Sequence, residues 1–545
     1  MFLALPVPPL PLQDETLLFE PTAPHNDALS VVFAFPNEYS VGITSLGYQV
    51  VWATLARRAD LRVSRLFTDG HEPLPSWVDI LGFSLSWELD YGNLLTLLEQ
   101  LDIPIMAGDR GADHPLVFGG GPVLTANPEP FADFFDIILL GDGETLLDEF
   151  CDALVDLKPA SRTETLRRLA RIPGVYVPSL YAVSYDSPTG GVRAIHPVDV
   201  DIPATVQKQT YRGNVLSAST VVTPHAAWEN IFMVEVVRSC PEMCRFCLAS
   251  YLTLPFRTAS LDDSLIPAIE QGLSVTNRLG LLGASVTQHP EFATLLDYLN
   301  RPQFDDVRLS IASVRTNTVT PELAATLTRH DTRSITIAIE SGSERIRQIV
   351  NKKLETDDIE QAAINAKAGG LSAMKFYGMA GIPGETQADL EQTVALMLRL
   401  KKATPGLRLT LGCSTFVPKA HTPFQWCGVN REAEKRLQYL QKHLRSKGID
   451  FRPESYNWSV IQALISRGDR RLGPVLERAR HYGDSLGSYR RAFKDFLGQI
   501  PPLEYYVHAD WALDQPLPWD HLLGPLPKAT LQKHFEAAGV GVVVV

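Results

Sequence analysis

Short apolar runs alternate with amphipathic stretches over residues 30 to about 150. The strand candidates are VVFAFPN (31–37), LRVSRLF (61–67), DILGFSLS (79–86), IPIMAG (103–108), PLVFGGG (115–121) and DIILLGDGE (136–144). Most are near-continuous apolar runs, the pattern of strands covered on both faces. Between several of them lie helical segments such as ITSLGYQVVWATLARRA and WELDYGNLLTLLEQL. The alternation predicts a doubly wound α/β domain, flavodoxin- or Rossmann-like, which binds ligands at the carboxyl ends of its strands. Polar and glycine residues gather at those ends: Asn37, Ser84, Ser86, Gly119 to Gly121, and Gly141 to Glu144.

Residues 151–227 change character. A helix, ETLLDEFCDALVDL, leads into short β-like pieces broken by Pro and Gly, which predicts a linker with small sheet content. Alternation resumes over 228–430 with IFMVEVV, LGLLGASV, VRLSIASV, SITIAIE, SAMKFYGMAG and LRLTLGCSTF. Six such units predict a partial or full β/α barrel. From 431 to 545, REAEKRLQYLQKHLRSKG opens a mainly helical C-terminal region, and the final GVGVVVV reads as an edge strand or frayed end.

Composition narrows the class. A chain of 545 residues, at roughly 150 per domain, predicts three or four domains. With 45% hydrophobic and 21% charged residues it is an ordinary globular composition. The net charge of −12 argues against a broad grip on nucleic acid. The apolar N-terminus, MFLALPVPPLPLQ, is broken by prolines and lacks a basic n-region, so no targeting signal is predicted. No apolar run reaches the ~18 residues of a membrane span. A cytoplasmic location follows as the expectation, where thiols stay reduced and can hold metal.

Six cysteines are too sparse for a disulfide scaffold, and three of them fall within eight residues. Directly after IFMVEVVR stands Ser239-Cys240-Pro241-Glu242-Met243-Cys244-Arg245-Phe246-Cys247, a C-x3-C-x2-C spacing. Thiolates this close can wrap one iron–sulfur cluster or one zinc ion. A structural zinc wants four protein ligands, and no fourth Cys or His sits at zinc-ribbon spacing. Three thiolates leave one iron of a [4Fe–4S] cluster open to a substrate or cofactor. The other cysteines differ. Cys151 lies in a helix and reads as core, while Cys413 ends a barrel strand and is a candidate hydrogen-atom donor. Cys427 lacks the spacing of an auxiliary cluster.

The cysteine spacing, with Phe246 before the last Cys, resembles the radical S-adenosylmethionine (SAM) enzymes. The resemblance implies a [4Fe–4S] cluster on Cys240, Cys244 and Cys247 whose open iron chelates SAM, and reductive cleavage to a 5′-deoxyadenosyl radical. It extends to Ser310-Ile311-Ala312-Ser313-Val314-Arg315, where Ser313 and Arg315 would contact the SAM ribose and carboxylate. It continues at Ile339-Glu340-Ser341-Gly342-Ser343-Glu344, with Glu340 on the ribose or amine. In Gly381-Ile382-Pro383-Gly384-Glu385-Thr386, Gly381, Pro383 and Gly384 would pass beside the adenine. A Gly-Gly-Glu motif common in the family is replaced by LLGASVTQHPE, which offers Ser285 or Thr287 for the amine.

PLVFGGGPVLTANPEPFADFFDIILLGDGE resembles the cobalamin-binding domain placed before many radical SAM barrels. Gly119, Gly120 and Gly121, Ser84 and Ser86, and Gly141, Gly143 and Glu144 would then touch cobalamin. His71, in Asp69-Gly70-His71, lacks the companions of a cobalt-ligand motif, so no histidine is expected on cobalt. FVPKAHTPFQW, SRGDRRLGPVLERA and LDQPLPWDHL extend the resemblance to a bacterial group of cobalamin-domain radical SAM proteins of unassigned reaction. Lys419 and His421 are candidates to face the substrate end of the barrel. Arg467, Arg470 and Arg471 are expected to pair with acidic neighbours.

The expected function is a radical SAM enzyme that uses cobalamin, with methylation of an unreactive carbon as one outcome and a flavodoxin or ferredoxin as electron donor. Two alternatives stand: an RNA-modifying enzyme of the methylthiotransferase kind, and a non-catalytic iron–sulfur sensor or assembly protein.

Overall fold

The computed structural model describes residues 8–10, 12–158 and 160–541; the tail residues 542–545, to which most of the GVGVVVV reading applies, and residues 1–7 lie outside that set. The N-terminal sheet has six strands: β1 (Leu29–Ala34), β2 (Leu61–Leu66), β3 (Ile80–Ser84), β4 (Leu116–Gly120), β5 (Ile137–Leu139) and β6 (Val175–Tyr176). Their order is β2-β1-β3-β4-β5-β6, with the first five parallel and β6 antiparallel at the edge. This is the flavodoxin-like order, whose switch point lies between β1 and β3. Helices Leu46–Ala56, Tyr91–Gln100 and Gly143–Asp156 bury apolar faces against it.

One predicted strand does not form. IPIMAG carries Pro104, which has no N–H for a ladder. The carbonyls of Pro104 and Ile105 are instead taken by buried Arg110 at 2.9 and 2.8 Å, and Arg110 also pairs with Asp136 at 3.0 Å. In the linker, helix Arg162–Leu169 precedes β6, which returns to the N-terminal sheet, so that layer runs past residue 150. A hairpin, Tyr181–Tyr185 with Val192–Pro197, supplies the small sheet content.

The second α/β layer is an open barrel of seven parallel strands. In chain order they are β7 (Ile231–Arg238), β8 (Arg278–Gly283), β9 (Arg308–Ile311), β10 (Ser334–Glu340), β11 (Ala373–Ala380), β12 (Arg408–Thr415) and β13 (Asp450–Pro453). They form two sheets, β7-β8-β9 and β10-β11-β12-β13, joined through a parallel bridge between Val314 and Ile337. All six apolar runs in the sequence become strands. The seventh, β13, lies beyond residue 430 and follows helix Ala433–Arg445, so the helical region begins later than the sequence suggests. Only Phe451 of its four residues is buried, too weak a signal for a strand.

Helices Tyr456–Arg467, Leu472–Tyr482 and Leu486–Asp495 share one apolar core with the N-terminal sheet, whereas the barrel keeps its own. Polar contacts lock this junction. The Tyr91 and Tyr489 hydroxyls meet at 2.7 Å, and the Asn127 amide donates to the carbonyls of Ser466 and Gly468. Lys419 lies here, away from the barrel mouth: its ammonium pairs with buried Glu88 and donates to the Ser466 hydroxyl at 2.9 Å. Burial raises the Glu88 carboxyl, but Lys419 and Gln462 outweigh it and hold it below the ordinary Glu value. Arg470 pairs with Glu129 and Arg471 with Asp469, while Arg467, fully buried, donates to the Tyr506 and Ala509 carbonyls and stacks 3.9 Å over Trp511. No helix among the described residues is long and apolar enough to cross a membrane.

Two predictions follow from this junction. Lys419→Met strands a buried carboxylate and should lower unfolding free energy by about 3–5 kcal/mol, while the double variant Glu88→Leu/Lys419→Met recovers most of the loss. Urea unfolding checks both. His421 and His521 are buried, and burial holds both imidazoles down at about 4, so both are neutral in the fold. The unfolded chain takes up these protons from about 6.5 downwards. Stability should therefore fall as pH drops from about 6.5 to about 4, and this contribution should level off below that. A His421→Gln/His521→Gln variant should show a shallower fall of thermal midpoint across the same window.

Candidate functional site

At the carboxyl end of β7 the chain turns sharply, with Ser239 at φ 71° and Met243 at φ 56°, both left-handed. The loop closes on itself: the Cys240 amide donates to the Ala249 carbonyl at 3.1 Å and the Cys247 amide to the Cys244 carbonyl at 2.9 Å. Cys247 then leads into the short helix Leu248–Tyr251. Cys240, Cys244 and Cys247 all line one cavity of about 620 Å3 in the barrel. All three are free thiols. Burial pushes the Cys244 thiol up to about 12, with nearby Lys352 acting against it.

Four other expected residues share the cavity: Phe246, Ser313, Arg315 and Glu340. Their backbones are as unusual as the loop's. Ser313 (φ 55°) and Glu340 (φ 64°) in the cavity wall and Asn351 (φ 56°) behind the loop join Ser239 and Met243, so among the described residues five of the nine left-handed non-glycine residues lie in this cavity's wall or in the segments that build it. Such conformations cost of order 1–3 kcal/mol each and persist where surrounding structure imposes them, often at functional sites.

The charges are already paired. Arg315 lies 3.0 Å from Glu242 and donates to the Lys353 carbonyl, while Lys352 lies 2.9 Å from Glu340. Burial alone would lower the Lys352 ammonium, but Glu340 and Cys244 lift it above the ordinary Lys value. Ser285 also lines the cavity; its hydroxyl donates to Gln288, whose amide donates to Glu242, each at 2.5 Å. Thr287 stands behind this wall, accepting from the Arg315 amide at 3.1 Å.

Three contributors were not legible in the sequence. Asn351 donates to the carbonyls of Glu242 and Met243 at 3.2 and 2.8 Å, clamping the cysteine loop from the far side of β10. Lys352 and Glu242 supply half of each ion pair. The available signal was the polar triplet Asn351-Lys352-Lys353 between Val350 and Leu354, both buried, which forces the triplet to run along the core. Arg245 fastens the loop again, donating to the Gln348, Ile349 and His534 carbonyls. His534 belongs to helix Lys528–Glu536, so the C-terminal region covers the back of the cysteine loop.

Other expected residues lie elsewhere. Gly381 and Gly384 face away from the cavity: a Cβ on Gly381 would meet Ala433 at 2.8 Å, and one on Gly384 would meet Val540 at 3.1 Å. Pro383 between them is likewise absent from the cavity wall. The neighbouring Glu385 accepts from the Gly381 amide and pairs with Arg436, which ties this loop to helix Ala433–Arg445. Cys413 is packed in the barrel core, where burial drives its thiol well above the ordinary value, and it does not line the cavity. Cys151 and Cys427 are buried in the other core.

A second cavity, about 250 Å3, lies at the carboxyl ends of β1, β3, β4 and β5. Ser84, Ser86, Gly120, Gly121, Gly141, Gly143 and Glu144 line it above a floor that includes Phe33, Phe83, Phe118 and Leu147. Two glycines are required here. Gly121 (φ 112°) would bring a Cβ within 2.5 Å of the Leu85 carbonyl oxygen, and Gly141 (φ 112°) within 2.1 Å of that of Gln209. Gly119 is not in this wall; it faces Leu124 and Phe135 on the other side of the sheet. His71 is absent too. Arg238, the last residue of β7, lines this cavity and pairs with Glu144 at 2.7 Å. The two cavities thus share β7, with Arg238 beside one and Cys240 beside the other.

The polar walls fit a guest. Ser250 and Thr316, both in the wall of the larger cavity, are 1% and 2% exposed, and among the described residues neither hydroxyl has a hydrogen-bond partner. An unpaired buried polar group costs about 1–3 kcal/mol, which a polar ligand offsets. Among the described residues no three His, Cys, Asp or Glu side chains are grouped to hold a single metal ion. Cys240, Cys244 and Cys247, which share the cavity wall, are the thiols that would hold an iron–sulfur cluster there.

Comparison with known proteins gives two family matches: "Radical SAM superfamily" over residues 234–397 and "Radical SAM proteins, N-terminal" over residues 49–178. An uncharacterized protein of Methanocaldococcus jannaschii is 28% identical over 479 residues, 86% of this chain and 96% of that one. An uncharacterized methyltransferase of Pyrococcus horikoshii is 23% identical over 301 residues, 53% of this chain and 59% of that one. Among solved structures, the radical S-adenosylmethionine methyltransferase TsrM of Kitasatospora setae, with cobalamin and a [4Fe–4S] cluster bound, has a TM-score of 0.49 at 14% identity, covering 71% of this chain and 75% of that one.

Placement of the six thiols makes a test. After anaerobic reconstitution with iron and sulfide, Cys240→Ala, Cys244→Ala and Cys247→Ala should each lose most bound iron. Cys151→Ala, Cys413→Ala and Cys427→Ala should keep the wild-type iron content.

Proposed function

We propose that this chain, a member of the radical SAM superfamily through its domain at residues 234–397, is an enzyme that cleaves S-adenosylmethionine and, with cobalamin, methylates an unreactive carbon. The observation that carries the reading is the meeting of Cys240, Cys244 and Cys247 with Arg315 and Glu340 in one cavity. The cluster, when bound with one iron open, supplies the electron that breaks the sulfonium bond of SAM.

The chain's own residues bind and orient. Arg315 is held by Glu242 before any ligand arrives, so its guanidinium is preorganised for a carboxylate. Glu340, the acceptor on the opposite wall, is held by Lys352. Among the described residues, the Thr316 and Ser250 hydroxyls have no hydrogen-bond partner and are offered to the ligand. Tyr251 closes the back of the loop, its hydroxyl donating to the Met243 carbonyl and meeting His534 Nδ1 at 2.9 Å, which keeps water from that side.

Support for cobalamin comes from the second cavity. Its floor is apolar, its rim carries Ser84, Ser86 and Glu144, and Gly120 and Gly121 present bare backbone. A slot of this size and character suits the nucleotide tail of the cofactor. The methyl-transfer branch draws on the description of the Pyrococcus horikoshii relative as a methyltransferase. A low-potential donor such as flavodoxin or ferredoxin is the proposed electron source, and the cytoplasm the proposed location.

Cluster-loaded protein given SAM and dithionite should release 5′-deoxyadenosine. An intact cluster without that product would end the radical reading. Separately, protein incubated with hydroxocobalamin should keep its visible spectrum through gel filtration, and Gly120→Val, which adds a side chain to the wall of the slot where there is room for it, should abolish retention; a wild type that retains none would remove the cobalamin branch.

A further inference from the structure

The cavity that opens at the three cysteines extends down the barrel to the amino ends of its strands. β8 lines it with Arg278, its first residue, and then with Gly280 and Leu282, the alternate positions that face inward; β10 adds Thr336, Ala338 and Glu340. At a rise of about 3.3 Å per residue, Arg278 stands about 16 Å along β8 from Gly283 at its carboxyl end. Closed barrels of parallel strands fill this space with Val, Ile and Leu, whereas Gly280, Ser310 and Ala338 leave it open here.

The two ends differ in charge. Five side chains in the wall are ionic, and four of them are paired, Arg315 with Glu242 and Lys352 with Glu340. Arg278 is the fifth. Its guanidinium donates to the Glu229 carbonyl at 2.6 Å, and among the described residues no carboxylate pairs with it. Two aromatic rings stand in the same wall: Trp228, next to Glu229 just before β7, and Tyr377, part-way along β11. They are 51% and 56% exposed, and among the described residues neither the indole N–H nor the phenol hydroxyl has a hydrogen-bond partner.

Resting on the radical SAM reading above, we propose that the amino-terminal half of this lumen is the acceptor site, and that it takes a small planar-ring compound bearing a carboxylate or phosphate. Arg278 holds the anion, and Trp228 and Tyr377 hold the ring. A guanidinium offers parallel N–H donors to two oxygens of either anion, and an aromatic face takes a flat ring by stacking. Anchoring the anion at the far end turns the rest of the molecule toward the cysteine end, where the reacting carbon belongs. The four paired charges have partners within the wall, which leaves Arg278 to set the sign of charge that the site prefers.

The test is equilibrium dialysis of the full chain, cluster-loaded and with SAM present to occupy Arg315, against naphthoate, naphthyl phosphate and the neutral naphthamide. Wild type should hold at least one of the anions about tenfold more tightly than the amide, and the better anion tells carboxylate from phosphate. Arg278→Gln should bind all three alike, at the level of the amide. Arg278→Lys, which cannot grip two oxygens in parallel, should keep only part of the preference. Trp228→Ala and Tyr377→Leu should weaken all three probes, while Trp77→Ala, at an exposed tryptophan outside the cavity, should change nothing. A wild type with no preference for either anion, or an Arg278→Gln variant that keeps it, overturns the proposal and leaves SAM cleavage standing. Should Arg278→Gln fail to fold, an undiminished preference in Arg278→Lys overturns it. An anion preference that Arg278→Gln removes, in a protein that releases no 5′-deoxyadenosine, instead ends the radical reading and leaves the anion site in place.

Discussion

Three sulfurs carried on an eight-residue loop must point into one cavity, and much of the molecule is arranged around that demand. A loop so short, with left-handed Ser239 at its entry and left-handed Met243 inside it, does not hold itself. Asn351 grips it by the carbonyls of Glu242 and Met243, and Arg245 ties it to the end of the helix Glu344–Ile349 and to His534. The clamp comes from segments about 100 and 290 residues away in sequence, so the geometry of the cysteines is a tertiary property. Loop strain of a few kcal/mol is offset where Asn351 fixes left-handed Met243 from afar and Ala249 holds the Ser239 hydroxyl locally.

Electrostatics follows the same logic. The cavity wall carries Arg315 and Lys352 against Glu242 and Glu340, two matched pairs with little exposure. A buried charge without a partner would cost several kcal/mol, and the internal pairs avoid that cost. Those pairs also fix the position of each charged group in the wall.

The fold was largely legible because parallel strands covered on both faces announce themselves as apolar runs. All six barrel runs became strands, and five of six did so in the N-terminal sheet. IPIMAG failed because Arg110 claims its carbonyls, a contact no local pattern reveals. β13 was hidden because a four-residue edge strand buries a single side chain. At the site, the local motif of three cysteines with Phe246 was plain, as were Ser313, Arg315 and Glu340. The Gly381-Ile382-Pro383-Gly384 turn does not line that cavity, and its glycines face Ala433 and Val540, far along the chain. Asn351 and Lys352 were missed for the same reason: their partners are about 100 residues upstream or across a strand.

The helix Lys528–Glu536 rests on the cysteine loop through His534, and this has a bearing on biosynthesis. About 290 residues separate Cys247 from His534. At about 5–20 residues per second, the ribosome leaves the loop without its cover for roughly 15–60 s. Arg245 and Tyr251 wait for His534 through that interval, so the loop gains its last fixed contacts only when synthesis is complete.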